Sequence, residues 1–389
     1  MHAAARDRSV GIVGAGAAGL FTALALLRRG WHGEQLCIFE PSGKTANDRT
    51  YSYWATERLL PEEVPARSFS ELELGRVGGE RLRVRAHDYR YYTTRSGPFY
   101  ASAKRVLAKA GVEWQRAAVS QVTEVDGRAV VHVPGAVARD FDYVLDSRPP
   151  VQLGRGGATV QTLQHFGGWY VAFERDAVDA ELVVLMDFDA FAEGVGFFYV
   201  IPDGPRRALV ELAVFSEESW PHERYDACLR AYIARRYGGD ISYTIEEREY
   251  GGIPMTDEAL WRRSTPHVWA IGTRGGWVQP SSGYAFTRIR RFADETADLL
   301  GRRKPRPWRP SVVQQVFNST MLRYILADPA RAAPMFMRLF ASNGADATFR
   351  FLDERAGFAE TLRIMWNTPR WTFTELALRE ASLRLLGRK

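Results

Sequence analysis

The longest apolar stretch of the chain runs from Val10 to Leu27, eighteen positions with only Thr22 polar, bracketed by Arg6, Arg8, Arg28 and Arg29. Hydropathy alone would allow a membrane helix or a signal peptide here. The internal order of the stretch predicts something else. A short β-branched strand leads into Gly14, Gly16 and Gly19 at GxGxxG spacing, small apolar helix residues follow, and a second strand ends at Glu40. In a βαβ dinucleotide site each position has a physical task. Gly14 allows the tight turn, Gly16 admits the pyrophosphate to the backbone, and Gly19 lets helix pack on strand. Ala15 and Ala18 complete the segment expected at the phosphates, where the helix N-terminus faces the anion. Glu40 is placed to hydrogen-bond a ribose hydroxyl, which favours FAD or NAD over NADP. The position of the fingerprint at the start of the chain is, by fold-level analogy, more typical of FAD proteins.

The pattern beyond this unit alternates between classes. Residues 43–60 read as a polar, aromatic-bearing loop, 80–95 as strand, and 101–110 as helix. A hairpin is expected over 117–133 with Asp126–Gly127 as its turn, and a buried strand ends at Asp146. Four strands in a meander span 160–215, followed by a helix over 223–237. A strand before Gly272 returns to the nucleotide-binding type, a helix covers 284–300, and a Pro/Arg linker at 301–310 precedes a helical remainder.

This order predicts an α/β fold in which a Rossmann-type FAD-binding domain is interleaved with an antiparallel substrate domain. The boundaries expected are 1–150 for the first part of the FAD-binding domain, 151–265 for the substrate domain and 266–300 for the return. Residues 311–389 form a C-terminal helical region.

Composition narrows the chemistry. With 46% hydrophobic and 25% charged residues among 389, the chain is an ordinary globular protein. Its two cysteines, Cys37 and Cys228, have neither disulfide-framework nor zinc spacing, so no metal site is expected. A net charge of +6 without a basic domain argues against nucleic acid. Twelve per cent aromatic content, including 11 Trp, suits a core, an apolar pocket or an interface belt, and composition does not choose among them.

A series of short motifs, collinear over nearly the whole chain, resembles the flavin-dependent lycopene β-cyclases. It comprises residues 14–20, Asn47–Tyr51, Asp146–Pro149, Gln164–Phe166 with Trp169, and Met186–Phe188. It continues through Leu209–Glu211 with Phe215 and Ser216, Ile253–Thr256, Ile271–Tyr284 and Phe351–Glu354. The resemblance implies an intramolecular lyase or isomerase that needs reduced FAD, with NAD(P)H as the expected electron donor, yet performs no net redox change. A proton adds to a terminal double bond of the linear polyene, the carbocation closes a β-ionone ring, and a proton leaves. Such chemistry asks for an acid, a cation-tolerant environment and exclusion of water.

By position, Glu211 matches the glutamate of the family's acidic motif and is the expected general acid/base. It lies on an apolar strand, where desolvation raises a carboxyl pKa. The family pattern often carries a second acid and then Thr directly after it, but here these are Leu212 and Ala213, which weakens a paired-carboxylate version. Glu217 and Glu218 are reserve acids. Arg49, Asp146, Gly272, Gly275, Gly276 and Gly283 are expected at the cofactor, with Asp48 and Arg49 either lining the flavin or forming a surface turn. Thr273 stands where many related flavoproteins have Asp. His165 and Trp169 share one period-2 face and fit either catalysis or sheet packing. Asp187 is either a buried acid near the substrate or a strand-end cap.

Rival readings are an FAD-dependent oxidoreductase (a monooxygenase or an isoprenoid reductase) on an apolar substrate, a cyclase for another isoprenoid, and a carotenoid-binding flavoprotein. A hydroxylase should carry AspGly and GlyAsp where this chain has Asp146–Ser147 and Gly272–Thr273, and the WxWxIP motif of tryptophan-type halogenases is absent. Residues 355–389 carry seven bases and three acids among apolar positions that include Phe358, Leu362, Trp366, Trp371, Leu385 and Leu386. They suit either an interfacial helix or a packed amphipathic pair. The expectation is a cytoplasmic enzyme held peripherally at the membrane by this tail.

Overall fold

The computed structural model describes residues 8–149, 160–191, 194–307, 309–367 and 370–385. The expected junction at 150–151, the side chains of Trp371 and Leu385, and Leu386 lie outside the described residues. The apolar N-terminal run divides at its glycines, as their spacing predicts. Val10–Val13 is a fully buried strand and Ala17–Arg28 a helix. Five parallel strands form one sheet in the order Val268–Ala270, Tyr143–Asp146, Val10–Val13, Leu36–Phe39, Glu113–Gln115. Parallel strands need cover on both faces. One face carries helices Ala17–Arg28 and Phe286–Leu300, with Phe21 edge-on to Phe286 at 5.2 Å. The other carries a three-stranded meander whose Ala129, Val131 and Phe141 pack on Val13 and Phe39. Its hairpin turns at Asp126 (φ 50°) and Gly127 (φ 73°), the two positive φ angles that a type I′ turn requires.

The second sheet has seven strands: Tyr243–Thr256, Gln161–Phe173, Arg207–Ser216, Gly194–Pro202, Leu182–Phe191, Glu71–Arg76 and Arg81–Arg85, in that spatial order. All neighbours are antiparallel except Leu182–Phe191 against Glu71–Arg76. The period of two sorts its side chains. Val210, Leu212, Val214, Trp169 and Val171 pack beneath helix His222–Tyr237. Leu209, Ala213, Phe215, Phe197 and Tyr199 face the C-terminal helices, among them Met321, Phe336, Phe340 and Phe349.

Four strands depart from the sequence reading, one of them the short Arg67–Phe69, which pairs with Arg90–Arg95. Thr50–Ala55 lies within the expected polar loop and pairs with Arg90–Arg95. Glu71–Arg76 was not expected as a strand. Tyr243–Thr256, fourteen residues long, was assigned no element, because it is a charged edge strand with little apolar alternation.

Helices Val312–Ala327, Ala332–Leu352, Phe358–Trp366 and Arg370–Leu385 complete the chain, the second kinked at Gly344. The motif Phe351–Glu354 is a clasp. Glu354 ion-pairs Arg288 at 2.5 Å and Arg291 at 3.3 Å, and accepts a hydrogen bond from Asn318 Nδ2 at 2.9 Å. Among the described residues, no helix is long and apolar enough to cross a membrane.

Candidate active site

Between the two sheets lies a cavity of about 410 Å³, and its two ends have different chemistry. One end is built of backbone. Gly14 sits at φ 95° and donates its N–H to Phe39, and a Cβ on Gly19 would stand 2.0 Å from the Gly14 carbonyl oxygen. Only glycine fits there. The first intrahelical bond runs from the Leu20 N–H to the Gly16 carbonyl, and no acidic side chain occupies the first turn. The N–H groups and positive dipole end at Ala17 and Ala18 therefore face the cavity without a competing anion. A Cβ on Gly16 would meet nothing within 4 Å and would project into that space.

Helix Phe286–Leu300 presents its N-terminus to the same cavity through Ala285, Phe286 and Ile289, again with no acid in its first turn. Beside it, Gly283 (φ 73°) packs against Gln164, whose Oε1 is buried with no hydrogen-bond partner. Two helix N-termini, glycine-lined backbone and an orphaned acceptor fit an anionic dinucleotide cofactor.

Glu40 stands under this end. It accepts hydrogen bonds from Ala15 N–H at 2.8 Å and from Ser42 N–H and Oγ at 3.0 and 2.6 Å. Burial pushes its pKa up, but the Ser42 and Ala15 bonds outweigh this and hold it below the ordinary carboxylate range. Both Ser42 bonds fall on Oε1, whereas Oε2 accepts from Ala15 and keeps a further lone pair, so a ribose hydroxyl remains compatible with these bonds.

The other end is a pair of carboxyl groups. Glu211, on Arg207–Ser216, is in register with Gly168 of Gln161–Phe173, and Gly168 is in register with Glu249 of Tyr243–Thr256. With no side chain between them, the carboxyl groups of Glu211 and Glu249 hydrogen-bond to one another over Gly168. A Cβ on Gly168 would lie 3.1 Å from Glu211 Cβ and from Leu209 Cδ1. Burial, then the Glu249 charge and hydrogen bond, raise the Glu211 pKa well above its ordinary value, and Arg49 opposes the shift. Glu249 also accepts from Thr50 Oγ1 at 2.8 Å, and Thr50 Oγ1 lies 2.6 Å from the Tyr170 hydroxyl.

Tyr91, Tyr199 and Tyr284 line the wall, with hydroxyls 3.3 Å (Tyr91 to Tyr284) and 3.5 Å (Tyr284 to Tyr199) apart. Burial raises all three phenols, Tyr91 to about 12, and so keeps them neutral.

The cavity wall includes Gly16, Ala18, Arg49, Glu211, Gly272 and Gly283 among the sequence-chosen residues. Gly14, Ala15, Gly19 and Gly275 shape the backbone behind it, and Gly276 (φ 77°) caps the turn Gly272–Gly275. Asp146 departs from expectation. Arg148 and Arg274 hold its carboxylate at 2.8 and 3.2 Å, and Ser147 and Pro149 take the place at the wall. Asp48 is turned to Tyr100, Ser96 and Lys44, whereas Arg49 reaches the cavity.

His165 and Trp169 lie on the opposite face of the sheet. His165 bonds Ser216 and Tyr225 at 2.7 and 2.6 Å, Trp169 donates to Asp226, and burial lowers the His165 pKa to about 4. Asp187 belongs to a buried ion cluster with Arg81, Arg236 and Tyr232 rather than to either expected place. Leu212 also points away from the cavity, toward the helix His222–Tyr237. The missing neighbouring acid therefore removes nothing from the cavity, and the second carboxylate comes from Glu249 instead. A larger surface groove, about 830 Å³ and lined by Glu295, Asp298 and Arg302, lies at the far end of helix Phe286–Leu300.

The fold is that of FAD-binding flavoenzymes. A geranylgeranyl bacteriochlorophyll reductase-like protein of Thermoplasma acidophilum superposes with TM-score 0.61 at 13% identity, over 95% of this chain and 98% of its own. A flavoprotein/dehydrogenase of Cytophaga hutchinsonii gives 0.62 at 12%, over 98% and 100%. The halogenase PltM gives 0.59 at 13%, over 99% and 94%, and a variant of it has been crystallised in complex with FAD. No curated protein sequence matches the chain. The profile of the lycopene cyclase protein family matches residues 9–378, and the chain belongs to that family.

Proposed function

We propose that the protein is a lycopene β-cyclase that uses reduced FAD, with NAD(P)H as the reductant, and Glu211 as its general acid. The observation that carries this reading is a carboxyl with a raised pKa, on an otherwise apolar strand, in a cavity that two helix N-termini also border. FAD would be held by the backbone at Gly16–Ala18 and Gly272–Thr273, with Glu40 below and Gly283 beside it. When bound in reduced form, the flavin supplies a negative charge that favours a nearby cation. The chain's own residues do the rest. Glu211 delivers its proton to the terminal double bond of the polyene, and the faces of Tyr91, Tyr199 and Tyr284 stabilise the carbocation. The apolar walls of Phe166, Ile201 and Leu209 exclude water that would quench it.

Anaerobic incubation with lycopene and dithionite-reduced FAD tests the proposal. The expected product has unchanged mass and a shortened chromophore, with many turnovers per flavin. A gain of oxygen or hydrogen would instead support the oxidoreductase reading.

The tail is the proposed membrane contact. Phe358, Leu362 and Trp366 recur every four residues on one side of their helix and are 81%, 50% and 67% exposed, with Arg363 beside them. Replacing the three by Gln should lower partitioning into anionic liposomes by about tenfold or more, since each large apolar side chain contributes on the order of 1 kcal/mol or more on insertion. Unchanged partitioning would discard the tail as the anchor.

A further inference from the structure

Resting on the cyclase reading, we propose that Glu249 is a second catalytic carboxylate. It is the base that shares a proton with Glu211 across Gly168 and receives the proton the new ring releases. The hydrogen bonds around the pair assign the two roles. Glu249 accepts a hydrogen bond from Thr50 on one oxygen and faces Glu211 across Gly168, so it is the member placed to accept a proton. Glu211 meets only Glu249 among the hydrogen-bond partners that the described residues provide, so it is the member that carries the hydrogen. Both carboxyl groups line the cavity.

The proton count closes without any co-reactant. Glu211 gives its proton to the terminal alkene carbon, whose π pair forms the new C–H bond and leaves a tertiary cation. The neighbouring double bond supplies the pair for the ring-closing C–C bond and takes over the positive charge. A C–H bond beside that charge breaks, its electrons become the ring double bond, and its proton passes to Glu249. The proton is then shared over the Glu211–Glu249 hydrogen bond, which restores the starting pair. Between the two proton transfers both carboxylates are ionised, so the cation faces two negative charges, and the dianion is a stronger base than either group alone.

Other charged or titratable groups border the pair from each surrounding element: Arg49 before strand Thr50–Ala55, Tyr91 on Arg90–Arg95, Tyr170 on Gln161–Phe173, Tyr199 on Gly194–Pro202, and Tyr284 on the loop before helix Phe286–Leu300. Arg95 stacks over the Tyr170 ring at 3.9 Å. None of these is a second carboxylate. Gly168 is therefore the position that determines whether the two acids meet.

The test compares wild type with Glu249→Gln and Glu249→Asp, each loaded with reduced FAD. Glu249→Gln should lower kcat about 100-fold while KM and FAD affinity hold, and Glu249→Asp should recover part of the loss. Removal of the neighbouring charge should also move the alkaline limit of activity down by about one pH unit or more. An unchanged kcat, or a lowered kcat with an unmoved alkaline limit, would overturn the proposal. Infrared titration of the protein without substrate keeps the two claims separable. A protonated-carboxyl band should persist above the ordinary carboxylate range in wild type, vanish in Glu211→Gln and move to lower pH in Glu249→Gln. If that band behaves so but wild type makes no ring, the cyclase reading fails while the shared proton stands. If wild type makes rings and the band ignores Glu249, the inference fails alone.

Discussion

Glu211→Gln should abolish most ring formation, lowering kcat by about 10²–10⁴-fold, the contribution typical of a positioned general acid. Substrate affinity and FAD binding should stay close to wild type. The substitution is nearly isosteric, so the strand and the wall of tyrosines keep their shape, but an amide has no proton acidic enough to give to an alkene. The pH profile carries the same argument. Burial and the facing Glu249 raise the Glu211 pKa, so the donating form persists above the ordinary carboxylate range and is lost as pH rises through that raised value. Activity should therefore fall on the alkaline side and hold through the range where an ordinary carboxylate is already ionised. Measuring kcat against pH for wild type, with product analysis for Glu211→Gln, checks both points. Retention of more than about a tenth of the wild-type rate by the variant would remove Glu211 from the acid's role.

The second large effect concerns stability. Glu354→Ala should cost about 3–5 kcal/mol, the usual penalty for leaving a buried charge without its partner. The Arg288 side chain is 5% exposed and the Glu354 side chain 8%, so neither charge has water to fall back on. Removal of the carboxylate also strips Asn318 of its acceptor and Arg291 of a partner, which loosens the C-terminal helices from helix Phe286–Leu300. Since that helix offers its N-terminus to the cavity, FAD affinity should weaken as well. Urea unfolding followed by tryptophan fluorescence measures the first effect and flavin titration the second. A change below about 1 kcal/mol would show that Arg288 finds another partner or sheds its burial.

The nucleotide-binding unit was the most legible part of the chain because its determinants are local. Gly14, Gly16, Gly19 and Glu40 fall within one strand–helix–strand segment, and the conformations they require follow from spacing. The hairpin turn at Asp126–Gly127 was legible for the same reason. Glu211 could be singled out because a lone carboxylate on an apolar strand must pay for its burial somehow, and the resemblance marked the same position.

Asp146 shows where such reading ends. Its place at a strand end was visible, but Arg274, distant in sequence, captures its carboxylate, and only the packed structure brings that arginine near. Leu212 shows the converse. Next to Glu211 in sequence, it counted against a carboxylate pair, yet the pleat sends it to the far side of the sheet.

By itself, the sequence determined that the longest apolar run is a nucleotide-binding start, that the chain alternates between a parallel and an antiparallel unit, and where one acid sits on an apolar strand. The tertiary structure alone decided that this acid has a partner. Glu249 lies on a charged edge strand with little hydrophobic period to reveal it, and the pair forms only when three strands take one register around Gly168. Local patterns reflect forces between neighbours in sequence. The shared proton depends on two side chains meeting across a third strand, and that meeting is set by sheet pairing, which no local pattern encodes.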